Sequence, residues 1–285
     1  MSSEDLPQVI IGCPVSHRVI ETIDATYEDD EPFFMWLDHI KAQDYSNFAT
    51  ALYMNDVTDK MYTTAVQNIS YIERVDTHRP AVSRRSRRSD DDRSRNEQPF
   101  ERYAESRNAL VDLVLKSAPD SKYLFSIDSD ILIHPDATSR CVSIMEENPD
   151  IAMLGIPVNN SRRRTRKHPL GLFMGSAQYS FGHAGIYLPD NPSLSGYNCL
   201  RGFDETHIFN VDYVGACVMI RADILRPPLS IRYRPHRQGE DCSFCHMVKK
   251  QNLRMAIDPH QVTLHIMDPG LLDHDMAYFS SRKHI

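Results

Sequence analysis

The sequence predicts an α/β fold, a single domain built on a mostly parallel central sheet, and three observations lead there. Strand-like apolar runs alternate with helical patterns along the chain. Several of those strands stop at polar or turn-forming residues, at Pro14, Asn55 and Asp128, and in open α/β sheets ligands gather at the carboxyl ends of strands. Finally, 285 residues with 41% hydrophobic and 25% charged side chains can enclose one sizeable core, so residues 1–285 read as one domain.

Each element follows from local pattern. "QVIIGCPV" (8–15) is a buried strand ending at Pro14, and residues 17–26 and 33–42 carry short helical patterns. "FATALYMNDVTD" (48–59) is a second strand that breaks at Asn55 and Asp56, followed by a helical segment from Lys60 to Ile69. Residues 76–99 contain "SRRSRRSDDDRSR", which lacks apolar periodicity and predicts a mobile charged loop; contact with an acceptor or a polyanion is its alternative use. Residues 101–115, "ERYAESRNALVDLVL", have helical spacing and lead through "SAPDSK" into the strand "YLFSI". A helix over 135–150, with Pro135 suited to its first turn, precedes the strand "IAMLGIPV" (151–158). Residues 159–208, rich in Gly, Pro and Asn and carrying "SRRRTRKH" at 161–168, predict long loops over a site. Residues 209–225 return to strand and end in a short helix, 239–253 are helical after a Gly-acid start, and 254–267 form a closing strand or hairpin.

Composition narrows the function classes. A net charge of −7 gives no global attraction to nucleic acid or anionic lipid. No basic, apolar leader opens the sequence and no segment approaches eighteen uninterrupted apolar residues, so a cytoplasmic protein without an integral membrane segment is expected. Six cysteines in a chain of this length do not make the dense framework of a small secreted domain, and reduced thiols are the expectation. "CSFCH" (242–246) matches a haem-attachment pattern. It has no second Cys-x-x-Cys partner, and its cysteines fall three apart on a predicted helix beside Phe244 and Val248, which suits buried thiols.

The informative stretch is "YLFSIDSDILIHPD" (123–136). Two aspartates that close a β-favouring run must be satisfied by water, a cation or a ligand. In an extended segment Asp128 and Asp130 point the same way, and hard oxygen ligands of this kind suit Mg²⁺ or Mn²⁺ together with substrate phosphates. By itself an Asp-x-Asp also fits a solvated turn.

Its surroundings carry a resemblance. "ESRNALVDLVLKSAPDSKYLFSIDSDI" (105–131), with "VIIGCPVSH" before it and "YVGACVMIRADIL" and "GEDCSFCHMVKKQNL" after it, resembles the nucleotide-sugar glycosyltransferases of the GT-A fold, family 2-like, across most of the chain. The resemblance implies that Pro14, Val15 and Ser16, with Asn55 or Asp56, line a nucleoside pocket. It implies that Arg107, at a helix start, orients the Asp-x-Asp loop or the diphosphate, and that Asp128 contacts ribose or sugar and helps hold the metal. Asp130 is the metal ligand, with His265 as a further ligand; a histidine hydrogen-bonded on a strand is the alternative for His265. Asp241 is the implied base and Glu240 the acceptor or donor-sugar contact, although the two can exchange roles, and acidic residues also suit any helix start.

The implied reaction moves a sugar from a UDP-sugar, ahead of a GDP-sugar, to a hydroxyl acceptor. Inversion is expected from a single displacement, and retention stays open. Glycan, protein, lipid and modified nucleic acid are all open as acceptors, and the oligomeric state is open. The rival classes are a phage-type enzyme that glycosylates DNA, a nucleic-acid-binding module resting on the two basic runs, and a haloacid-dehalogenase-like phosphatase. The last expects Thr or Val where Leu132 stands.

Overall fold

The computed structural model describes residues 8–16, 19–21, 26–28, 30–76, 98–163, 177–182, 184–185, 208–236, 239–261, 263–266, 276–277 and 279–280. Its strands are β1 (Val9–Ser16), β2 (Val19–Glu21), β3 (Thr26–Glu28), β4 (Phe48–Asn55), β5 (Tyr71–Val75), β6 (Tyr123–Ile127), β7 (Ile131–Leu132) and β8 (Ile151–Gly155). They continue as β9 (Val158–Arg163), β10 (Ala177–Gly182), β11 (Ala184–Gly185), β12 (Phe209–Asn210), β13 (Tyr213–Val214), β14 (Cys217–Arg221), β15 (Arg254–Ile257) and β16 (Thr263–His265). The helices are α1 (Glu31–Lys41), α2 (Asp59–Val66), α3 (Gln98–Ser117), α4 (Ala137–Glu147) and α5 (Glu240–Lys250), with a 3-10 turn at Ala222–Leu225.

Eight strands form one sheet in the order β12-β15-β8-β14-β6-β1-β4-β5. The neighbour pairs β1–β4, β1–β6, β4–β5 and β8–β15 are parallel, while β14 runs antiparallel to both β6 and β8, and β12 antiparallel to β15. The sheet is thus mostly parallel, as the alternating pattern predicts.

Helices cover both faces, which is why the central strands are apolar throughout. On one face Val9, Ile11, Cys13 and Val15 of β1 pack with Phe33, Trp36, Leu37 and Ile40 of α1 and with Cys141 and Met145 of α4. On the other, Ile10 of β1 and Leu124 of β6 pack with Leu110, Val111 and Val114 of α3 and with Phe244, Cys245 and Val248 of α5. Gly12 lets α3 come close, since a Cβ there would lie 2.9 Å from Leu124 and 3.2 Å from Leu110.

Four elements depart from expectation. Residues 19–21 and 26–28 pair as antiparallel strands where a helical pattern is expected, in keeping with the β-branched and aromatic Val19, Ile20, Thr26 and Tyr27. Residues 71–75 add a parallel edge strand that the sequence reading passes over. Within the expected loop 159–208, residues 158–163 and 177–182 pair as antiparallel strands; of the expected loop 76–99, residues 77–97 lie outside the described residues. Of the closing strand or hairpin expected over 254–267, strands form at 254–257 and 263–265 but do not pair with each other: β15 joins the large sheet and β16 a second sheet of order β10-β9-β16-β7. Among the described residues no helix is long and apolar enough to cross a membrane.

Candidate active site

Strand order locates the site. From β1 the chain builds outward through β4 to β5, then returns to place β6 on the other side of β1, so the order reverses between β1 and β6. At such a switch point the crevice opens beyond the carboxyl ends of the strands. Ser16 ends β1, Asn55 lies beside it in register at the end of β4, and Asp128 directly follows β6. Pro14, Ser16, Asn55 and Asp56 therefore share one sheet edge with the Asp-x-Asp. Asp56 has φ of +52° and donates its N–H to the Val75 carbonyl. Val15 differs: its side chain is buried in the core, because strand alternation turns it to the same face as Cys13. Only its backbone is available to line a pocket.

The Asp-x-Asp is a turn. The Asp128 carbonyl accepts from the Ile131 N–H at 3.0 Å, so the alternation argument for a shared direction does not apply. The two aspartates take different partners. Arg107 Nη2 donates to Asp128 Oδ1 at 2.9 Å, and His265 Nε2 lies 3.2 Å from Asp130 Oδ2. Register in the second sheet explains the latter contact. Antiparallel pairing sets His265 opposite Ile131, and the Ile266 N–H reaches the Asp130 carbonyl at 2.8 Å.

Arg107 organises the rest. It sits well inside α3 rather than at a helix start, and is only 6% exposed. Its Nε donates to Glu240 Oε1 at 2.8 Å and lies 3.5 Å from Asp241 Oδ1, while Nη1 approaches Ser126 Oγ at 3.5 Å. Burial works against its charge, but Asp128, Asp241 and Glu240 together raise its pKa well above the usual value. One guanidinium fork thus joins the turn after β6 to the start of α5, which a lysine's single ammonium could not do.

The two acids of α5 occupy different environments. Glu240 is 7% exposed and paired with Arg107, whereas the Asp241 side chain is 25% exposed. Burial pushes the Asp241 carboxyl up to about 7; Arg107 opposes this, and Glu240 and Asp128 add to it. Burial also raises Asp128, against the pull of Arg107. Gly239, with φ of +112°, turns the chain into α5 in a conformation that side-chain-bearing residues rarely adopt.

Asn108, Tyr233, Gly215 and Ala216 complete the surroundings, and the sequence reading names none of them. The Asn108 amide donates to the Tyr233 carbonyl and accepts from the Tyr233 N–H, both at 2.9 Å. Tyr233 stacks on Phe244 at 4.3 Å, with the Arg107 guanidinium 5.6 Å from its ring centre. The weak signal for these was the adjacency of Asn108 to Arg107 and the "VGA" step ahead of β14.

The cysteines of "CSFCH" lie three apart on α5. Cys245 is buried and exchanges contacts with the Val214 backbone, while Cys242 is only half-buried. Cys13, Cys141 and Cys217 are buried free thiols as well. Among the described residues no three His, Cys, Asp or Glu side chains converge to hold an ion. Asp130 and His265 are a half-open pair, with side chains 28% and 16% exposed. That fits a hard cation completing its shell with phosphate oxygens and water, as Mg²⁺ and Mn²⁺ do.

No family model matches the chain, and no curated protein sequence matches it. Solved structures do. Residues 1–349 of S. aureus TarS in complex with UDP superpose with a TM-score of 0.51 at 12% identity, covering 97% of this chain and 65% of the solved one. The same fragment with UDP-GlcNAc gives a TM-score of 0.48 at 12% identity, over 92% and 56% of the two chains. This chain spans about two thirds of that TarS fragment. The fold is of the GT-A type.

Proposed function

We propose that the chain is a glycosyltransferase that moves a sugar from a nucleotide-sugar, a UDP-sugar ahead of a GDP-sugar, to a hydroxyl acceptor. The observation that carries this reading is the Arg107 fork, which sets Asp128, Glu240 and Asp241 together at the switch point with the Asp130–His265 pair alongside. Support comes from the UDP bound by TarS in the same fold.

Each side chain has a task in this reading. Pro14, Ser16, Asn55 and Asp56 line the nucleoside side of the crevice, and Asp128, held by Arg107, faces the ribose or the sugar. Asp130 and His265 would hold Mn²⁺ or Mg²⁺, which when bound neutralises charge on the diphosphate leaving group. Glu240 is buried against Arg107 and fixes the fork. Asp241, more exposed and poised near neutrality, serves as the base. The acceptor oxygen bonds to the anomeric carbon and its proton passes to Asp241. The bond from that carbon to the diphosphate oxygen breaks, and the nucleoside diphosphate leaves with the electron pair. A single displacement of this kind inverts the anomeric centre.

Melting temperature against UDP, GDP, CMP and dTDP, each with and without Mn²⁺, tests the reading, because a ligand that binds only the native state raises it. A rise with UDP that needs Mn²⁺, and is lost in Asp130→Ala, is the expected result. No rise with any nucleotide would overturn it.

A further inference from the structure

We infer that the turn at Gly215–Ala216 is a positioning element: it seats the Asp241 carboxylate and registers it against the turn that carries Asp128. The inference rests on the reading of Asp241 as the base, and four observations support it.

First, Gly215 makes room. A Cβ at Gly215 would overlap the Asp241 side chain, 2.7 Å from its Cγ and 3.0 Å from its Cβ. No side chain fits there while the carboxylate keeps its place. Second, Ala216 has φ of +60°, a left-handed conformation that is uncommon for a residue with a side chain. The Cys217 N–H closes the turn onto the Gly215 carbonyl at 2.6 Å. Strain of this kind persists where the surroundings over-determine it, and functional sites are where it concentrates.

Third, Ala216 is engaged on both sides. Its backbone favours the charged form of the Asp241 carboxylate, and its carbonyl accepts the Asp128 N–H at 2.8 Å. A single residue therefore connects the base to the Asp-x-Asp turn through backbone groups. Fourth, this link runs parallel to the one through Arg107, which joins Asp128 to Asp241 through side chains. Packing against Gly215 and the ion pair with Arg107 both hold the carboxylate in one place relative to the donor side. A misplacement of about 1 Å at such a group can cost on the order of a hundredfold in rate.

Two measurements on the full chain test this. In the first, Gly215→Ala is made in the wild type and in Asp241→Ala, and the four melting temperatures form a double-mutant cycle. Gly215→Ala should lower the melting temperature substantially in the wild type and far less in Asp241→Ala, where the overlapping carboxylate is gone. Equal losses in both backgrounds would overturn the inference. This arm needs no activity, so it decides the seating of Asp241 even if the protein binds no nucleotide and the glycosyltransferase reading falls.

In the second, Gly215→Ala is assayed for Mn²⁺-dependent UDP binding and for turnover of a UDP-sugar. Nucleotide affinity and donor KM should stay at wild-type values while kcat falls about a hundredfold. A general packing defect would weaken binding and turnover together, and that outcome would overturn the positioning role.

Discussion

Arg107 and Asp241 show how single residues set the chemistry. Arg107 is buried and carries three carboxylate neighbours, so its charge is held by design of the site and not by solvent. Asp241 stands at about 7 against 3.8 for an ordinary aspartate, and burial is the main cause. Between those values the folded chain keeps a proton that the unfolded chain has released. Stability from this group therefore falls as pH rises through that window and levels off above about 7. Turnover runs the other way, because a base works ionised: kcat/KM should climb as pH rises through about 7. Asp241→Asn should abolish turnover, keep nucleotide binding and flatten this part of the stability profile. Urea unfolding at pH 5 and pH 8 checks it, the expected result being that the variant gains on the wild type at the higher pH. Parallel profiles for the two proteins would remove Asp241 as the titrating group.

At the scale of elements, the site depends on how α3 and α5 are tied through the segment between them. Arg107 and Asn108 are consecutive in α3, and they divide the labour. Arg107 reaches the start of α5, and Asn108 pins the backbone of Tyr233, whose ring stacks on Phe244 of α5. Asn108→Ala removes two hydrogen bonds and leaves partly buried backbone groups unsatisfied, at a cost of about 1–3 kcal/mol. The expected result in urea unfolding is a lower midpoint with an unchanged slope. An unchanged midpoint would mean that Tyr233 is held by packing alone.

For the whole molecule, the reversal of strand order decides where everything meets. β1, β6 and β14 lie inside the sheet with helices over both faces, whereas β5 and β12 close its two ends. Amide exchange should follow that order, slowest in β1, β6 and β14 and fastest in β5 and β12, because local opening is easiest where fewest contacts must break. Fast exchange throughout β6 would contradict the layered core on which Asp128 is mounted. The second sheet adds the other half of the site: β7 and β16 pair, and that pairing delivers His265 to Asp130 across a long sequence separation.

The sequence alone determined the α/β class and the run of central strands and helices, because apolar periodicity and strand-ending residues are local signals. It also exposed Arg107, Asp128, Asp130, Glu240, Asp241 and His265 as candidates, through short motifs in a telling order. Within the helical pattern read over 17–26 it misjudged residues 19–21 and Thr26, which are in strands, and it passed over the edge strand 71–75. Only the tertiary structure decided which candidates touch. The turn at Asp128 sends the two aspartates to different partners, and α3 brings Arg107 within reach of both acids of α5. The turn at Gly215–Ala216 fits against Asp241. Those contacts join residues far apart in the chain, and their geometry is fixed by sheet register and helix packing, which no local pattern encodes.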